Sequence, residues 1–190
     1  MRKGVSLLGL LVAFIALLAA LPAAAEPDTV DVEGYAVGCV LEDPGKVWVS
    51  GNVRHVRNQT VLGEVYLWDA ATGEPLPTLT TYSELFINVD IYLDTGDSKV
   101  WAHYVLDPYD PDIHGRWRGV ADGFFYTDQP DRGEFNYKIN GNGDMAGWRI
   151  DAASASILPE DVPAELGLCG AEGVRSARYM TGTLSNRRGG

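Results

Sequence analysis

The chain has 190 residues, with 26 acidic against 15 basic side chains and a formal net charge of −11 at pH 7. An acid excess of that size repels phosphate backbones and anionic lipid, which excludes nucleic acid and acidic membrane surfaces as partners. Two cysteines are too few for a disulfide-rich scaffold, and 22 glycines spread along the chain indicate many turns rather than one disordered tract.

The first element reads as an export leader. Arg2 and Lys3 precede an apolar run from 5 to 21, and Ala23, Ala24 and Ala25 form a small-residue cleavage site. The run approaches bilayer-spanning length, but Pro22 breaks it and polar sequence follows at once. Cleavage after Ala25 is therefore expected rather than retention as an anchor. Losing Arg2 and Lys3 leaves 13 basic residues against 26 acids, a net charge of −13. Residues 26–190 form one domain in this reading, secreted to the periplasm or the exterior, with no further membrane span. In an oxidising compartment Cys39 and Cys169 are expected to form one disulfide, two free thiols being the alternative. No CxxC is present, so neither a redox nor a zinc motif is indicated.

Strand-like runs follow in order at 30–41, 46–57 and 60–69. The stretch "DAATGEPLP", 69–77, has the glycine and proline chemistry of a connector. The clearest strand is 84–94. Leu85, Ile87, Val89, Ile91 and Leu93 take one face, and Glu84, Phe86, Asn88, Asp90, Tyr92 and Asp94 take the other. A helix cannot satisfy a period of two over eleven residues. "TGDS" turns the chain, and 99–107 returns as its partner.

In "LDPYDPDIHG", Asp107, Asp110 and Asp112 share a proline-rich loop, a candidate calcium site weighed against a solvated turn. Further strand-like runs lie at 115–127, 133–140, 143–156 and 173–185, and "LPEDVPAEL" offers at most one short helical turn. About nine such runs joined by short turns predict an all-β domain. A single antiparallel, eight-stranded up-and-down barrel is favoured because closure removes free edges. A two-sheet β-sandwich is the alternative.

The stretch "GEFNYKINGNGDMAGWRID", 133–151, sets Asn140, Asn142 and Asp144 on alternate positions, as in a calcium loop. Such a loop needs Gly at its sixth position and Glu at its twelfth, where this chain has Met145 and Asp151. A tight hairpin centred on Gly141-Asn142 is preferred. It sets Phe135 opposite Trp148 and Tyr137 opposite Ala146, with Glu134 opposite Arg149 on the other face.

No GxSxG, HExxH, phosphate-binding GxxxxGK[ST] or GxGxxG motif is present. His55, His103 and His114 are scattered, and no carboxylate pair stands out among so many acids. Trp48, Trp68, Trp101, Trp117 and Trp148 each fall in a strand-like run. Trp48 shares parity with Ser50, Asn52 and Arg54, and Trp101 with His103. Aromatic rings beside polar groups suit a barrel cavity or a sugar-stacking platform. Trp48, Arg54, Trp101 and His103 are the candidate ligand contacts; no cofactor is indicated.

The segments "VSGNVRHVRN", "INVDIYLDTGDSKVWAHYVL", "GRWRGVADGFF" and "INGNGDMAGWRID" resemble a group of exported bacterial proteins of the allene oxide cyclase type. That likeness rests on Gly115, Trp117 and Gly119, then Gly141, Gly143 and Gly147, and runs from about residue 33 onward. It implies a calycin-like, eight-stranded barrel, and no catalytic residue of the plant cyclases can be placed on this chain. Three functions follow as expectations. The first is binding of a small, partly apolar molecule in the barrel without catalysis. The second is an enzyme, either a cyclase-type isomerase or a hydrolase. The third is a surface module for glycan binding or adhesion, which requires Trp48 or Trp68 to lie exposed.

Overall fold

The computed structural model describes residues 28–127 and 129–186, so the leader lies outside the described residues. The strands are β1 (Thr29–Asp43), β2 (Lys46–Ser50), β3 (Val53–Asp69), β4 (Pro75–Tyr92), β5 (Ser98–Pro108), β6 (Trp117–Tyr126), β7 (Gln129–Gly141), β8 (Trp148–Ile157) and β9 (Ser176–Asn186). All lie in one antiparallel sheet in the order β1-β9-β8-β7-β6-β5-β4-β3-β2, and β1 also pairs with β3. That second pairing closes an eight-stranded barrel and leaves β2 as an extra strand beside the start of β3. One continuous, closed sheet rules out the sandwich.

Two-residue alternation builds the wall. In β7, Phe135, Tyr137 and Ile139 are buried while Glu134, Asn136 and Lys138 are exposed. In β4, Leu85, Ile87 and Val89 face the core with Leu79, and Tyr82 and Phe86 face solvent. Trp117, Tyr137, Leu67 and Ile150 are among the fully buried side chains at the centre. Each large apolar side chain so buried stabilises the fold by about 1.5–3 kcal/mol.

The structure redraws three expected elements. Residues 46–57 are two strands, because the chain turns at Gly51-Asn52, where Gly51 takes φ +59°. Trp48 therefore faces His55 while Arg54 pairs with Val49, so Trp48 and Arg54 lie on opposite faces. The second half of that run joins 60–69 in β3 through a bulge at Asn58, whose φ is +57°. The connector after β3 ends at Glu74, and 75–83 is strand, its β-branched Thr78, Thr80 and Thr81 suiting a pleated surface.

The third change concerns β7 and β8. They are joined by 142–147, which includes a 3-10 turn (Gly143–Met145), and not by a tight pair at Gly141-Asn142. Phe135 pairs with Ser154, Tyr137 with Ala152, Glu134 with Ala155, and Arg149 with Asn140. The shift is by six residues, an even number, so Phe135 and Trp148 still share the inner face. Docking of this loop onto the segment before β6 explains the length. The Asn142 side chain accepts the Arg116 N–H at 2.9 Å, and Asp144 accepts the His114 N–H at 2.7 Å. The backbones of the two segments also bond, and Met145 is driven into the core at 2% exposure. Gly115 and Gly143 allow the approach. A Cβ on Gly115 would stand 2.2 Å from the Asn142 carbonyl oxygen, and one on Gly143 equally close to that of His114. The alternating polar residues thus bind backbone rather than a metal.

Between β8 and β9, residues 158–166 form two 3-10 turns where at most one was expected, Pro159–Asp161 and Ala164–Leu166, and a third follows at Gly170–Glu172. This segment lies against the outside of the barrel, where Val37, Cys39, Val162, Leu168, Cys169 and Ala177 form a second small core. The Cys39–Cys169 disulfide ties it there across a separation of 130 residues.

Replacing both cysteines with serine is expected to cost about 2–5 kcal/mol in urea unfolding, with the far-ultraviolet circular dichroism of the barrel kept. Unchanged stability would mean that the segment docks without help from the bond.

Candidate functional site

The barrel interior is solid in the middle and hollow at both ends. The central void, bounded by Leu67, Tyr104, Tyr137 and Ile150, is only about 10 Å³. A cavity of about 340 Å³ lies beside the docked 142–147 loop, against Trp117, Met145 and Trp148. Its Trp117 indole and its Asp144 carboxylate are already engaged. The Trp117 indole N–H donates to the Thr78 carbonyl at 2.7 Å, and Asp144 accepts from His114.

The opposite cavity is about 230 Å³ and sits where β1, β3, β4, β5 and β9 meet. Val61, Leu85, Ile87, Val100 and Ala102 supply apolar wall, and Phe125 and Phe135 close one side. Inward-facing Gly38, Gly63, Ser83 and Ser176 lie in one row across four strands, since Ser176 pairs with Gly38, Gly38 with Gly63, and Gly63 with Ser83. The glycines are packing requirements as well. A Cβ on Gly63 would stand 2.0 Å from the Val37 carbonyl oxygen and 3.0 Å from the Ser83 hydroxyl. Ser83 is 4% exposed, and its hydroxyl has no hydrogen-bond partner. An orphaned buried hydroxyl costs about 1–3 kcal/mol.

Arg178 stands two residues after Ser176 and reaches into the same cavity. Its guanidinium carbon lies 3.7 Å from the centroid of the Phe135 ring and 4.8 Å from that of Phe125. Its hydrogen bond within the protein is a long one, 3.5 Å to the Ser156 hydroxyl. Among the described residues no carboxylate pairs with it. Tyr104, fully buried at the cavity floor, is held well above the usual phenol range, by burial first and then by neighbouring Tyr137, against an opposing pull from Arg178.

None of the four expected ligand contacts lines this cavity. Arg54 is exposed near the β2–β3 turn. Trp101 and His103 lie on the outer surface, because their positions alternate with inward Val100 and Ala102, and Trp48 is exposed on the extra strand β2. There Arg57 sits between two of them, 5.5 Å from the Trp48 ring centroid and 4.7 Å from that of Trp101. Arg57 donates to Asp90 at 2.7 Å, and His55 Nδ1 contacts the same carboxylate oxygen at 2.6 Å. Partial burial pushes Asp90 upward, but the hydrogen bonds from Arg57 and His55 outweigh it and hold the carboxyl below its usual value. His103 stands beside Phe86 and Val120 in register, and no contact joins it to this cluster among the described residues.

The three loop aspartates do not gather. Asp107 pairs with Arg116 at 3.1 Å, and Asp110 accepts the Asp112 N–H at 2.9 Å. Among the described residues no three His, Cys, Asp or Glu side chains form a metal-ligand set. Ser83, Ser176 and Arg178 went unnoticed in the sequence. The one available signal was an arginine on the inner parity of β9, between Ser176 and buried Met180.

Tyr179 donates to Glu33 at 2.7 Å, and burial, that bond and the Glu33 charge push its phenol up to about 12. A raised folded-state pKa means the folded chain holds the proton more tightly. The stability it contributes is complete below about pH 10 and lost as pH rises through about 12. Absorbance at 295 nm with circular dichroism should show Tyr104 and Tyr179 ionising only as the barrel opens. Ionisation of all nine tyrosines near pH 10 with the fold intact would contradict it. The chain matches no family model, no curated protein and no solved structure, so the geometry alone carries the functional reading.

Proposed function

We propose that this is a secreted protein that binds a small, partly apolar molecule, without catalysis, in the 230 Å³ cavity at the Arg178 end of the barrel. The observation that carries the reading is a hollow with apolar walls in which a few unspent polar groups converge, the usual make-up of a ligand site. Small barrels either fill with side chains or hold one ligand, and this one fills only at its middle. The other end has more volume but, among the described residues, no cationic side chain in its lining to orient a guest. The leader and the disulfide support export from the cytoplasm.

A calycin-like relation to the allene oxide cyclase type accords with eight-stranded closure, and isomerisation of an apolar substrate is the enzymatic form of the same proposal. Among the described residues the cavity lining contains no carboxylate and no histidine, which favours binding over acid–base chemistry. Glycan stacking on the outer surface is a second reading, favoured by Trp48 at 46% exposure. Arg57 weighs against it by occupying the space between Trp48 and Trp101, where a sugar ring would lie.

Titration with 1-octanol, followed by amide NMR, is expected to shift Ser83, Ala102 and Arg178 and to leave Thr78 and Leu184 unmoved. Ala102→Leu should abolish binding without lowering the melting temperature, because the added carbons enter existing space. Shifts confined to the outer surface, or unaltered binding by Ala102→Leu, would contradict the reading. Native mass spectrometry of protein from its own host should show a co-purifying molecule that Ala102→Leu lacks.

A further inference from the structure

The cavity has a polar end, and its chemistry is specific. Arg178 carries five N–H donors, and among the described residues one of them is used, on Ser156 at 3.5 Å. The two phenyl rings fix the guanidinium in place, so little side-chain freedom is lost when a guest arrives. The hydroxyls of Ser176 and Ser83 line the same cavity, each set against a glycine of the neighbouring strand, Gly38 and Gly63. Ser83 is 96% removed from solvent and unpartnered. A ring-held cation and two hydroxyls in one cavity lining, one hydroxyl with no partner, suit a planar, acceptor-only group.

We propose that the ligand is a short monocarboxylate whose carboxylate lies in this cavity against Arg178 and the Ser83 and Ser176 hydroxyls. This rests on the cavity being the binding site. Its apolar tail runs along Leu85, Ile87 and Val100. If a methylene occupies about the same space as a water, about 30 Å³, then 230 Å³ holds roughly eight heavy atoms. That fits a chain of about six carbons, with octanoate, at ten heavy atoms, as the upper limit, and not a long fatty acid. The negative protein surface opposes approach of an anion, but at 0.15 M salt that field is screened beyond about 8 Å, whereas contact with Arg178 is not. Local contact therefore decides.

Calorimetric titration with octanoate and with 1-octanol separates this proposal from the cavity reading. Octanoate is expected to bind about tenfold or more tightly than the alcohol, the size of one charge-assisted contact. Arg178→Met should bring octanoate down to the level of 1-octanol and leave 1-octanol unchanged. Ser83→Ala, which leaves the ring packing of Arg178 untouched, should weaken octanoate about threefold to tenfold. Equal affinity of the wild-type protein for both molecules overturns the carboxylate proposal and spares the cavity reading. Binding of neither overturns both. Octanoate affinity unchanged in both variants also overturns the carboxylate proposal.

Discussion

The structure depends on β1 finding a hydrogen-bonding partner along both of its edges. Tyr35 shows the arrangement, facing Tyr66 of β3 on one side and Tyr179 of β9 on the other. Without the β1–β3 pairing, both strands would present rows of open N–H and C=O groups to solvent or to other chains. The approach is possible only because glycine stands at the seam. A Cβ at Gly34 would lie 2.0 Å from the Tyr66 carbonyl oxygen, and one at Gly63 would lie 2.0 Å from that of Val37. On the outside, Tyr35, Trp68 and Tyr179 pack across the seam, with the Tyr35 ring 5.5 Å from Tyr179 and 5.7 Å from Trp68.

Closure and cavity lie side by side. Gly38 and Gly63 bring β1 against β3, and the cavity beside Arg178 opens next to this seam, with Gly38 in its lining. Farther along the barrel, Leu67, Tyr104, Tyr137 and Ile150 are large enough to meet across the axis, and the interior becomes solid. Side-chain size along the inner rows thus decides where the barrel can hold a guest. The segment after β8 reinforces this end from outside, since Arg175 N–H bonds to the Gly38 carbonyl and Cys169 is tied to Cys39. Order in that segment and the shape of the cavity wall are therefore coupled through β1.

Much of the fold could be read from period-two patterning, because burial on one face leaves a regular trace. Leu85, Ile87 and Val89 point inward as their spacing requires, and Phe135 and Trp148 share a face although their pairing register differs from the expected one. The register itself could not be read. It is set by Asn142 and Asp144 reaching the backbone of His114 and Arg116, a contact between segments far apart in sequence. The turn at Gly51-Asn52 was hidden because polar and apolar residues alternate straight through it. The site was almost invisible. Aromatic residues drew attention to the outer surface, whereas the cavity is made by glycine, serine and alanine, whose meaning lies in what they leave empty. Arg178 is a single charge in a strand, and only closure of the barrel brings it beside residues of β1, β3 and β4.

The central claim is that β1 is paired on both sides, and backbone nuclear Overhauser contacts from Tyr35 test it directly. The account predicts cross-strand contacts from Tyr35 to Tyr66 and to Tyr179 in the same folded species. Contacts to only one of them would mean an open sheet, and with it the loss of the cavity beside the seam.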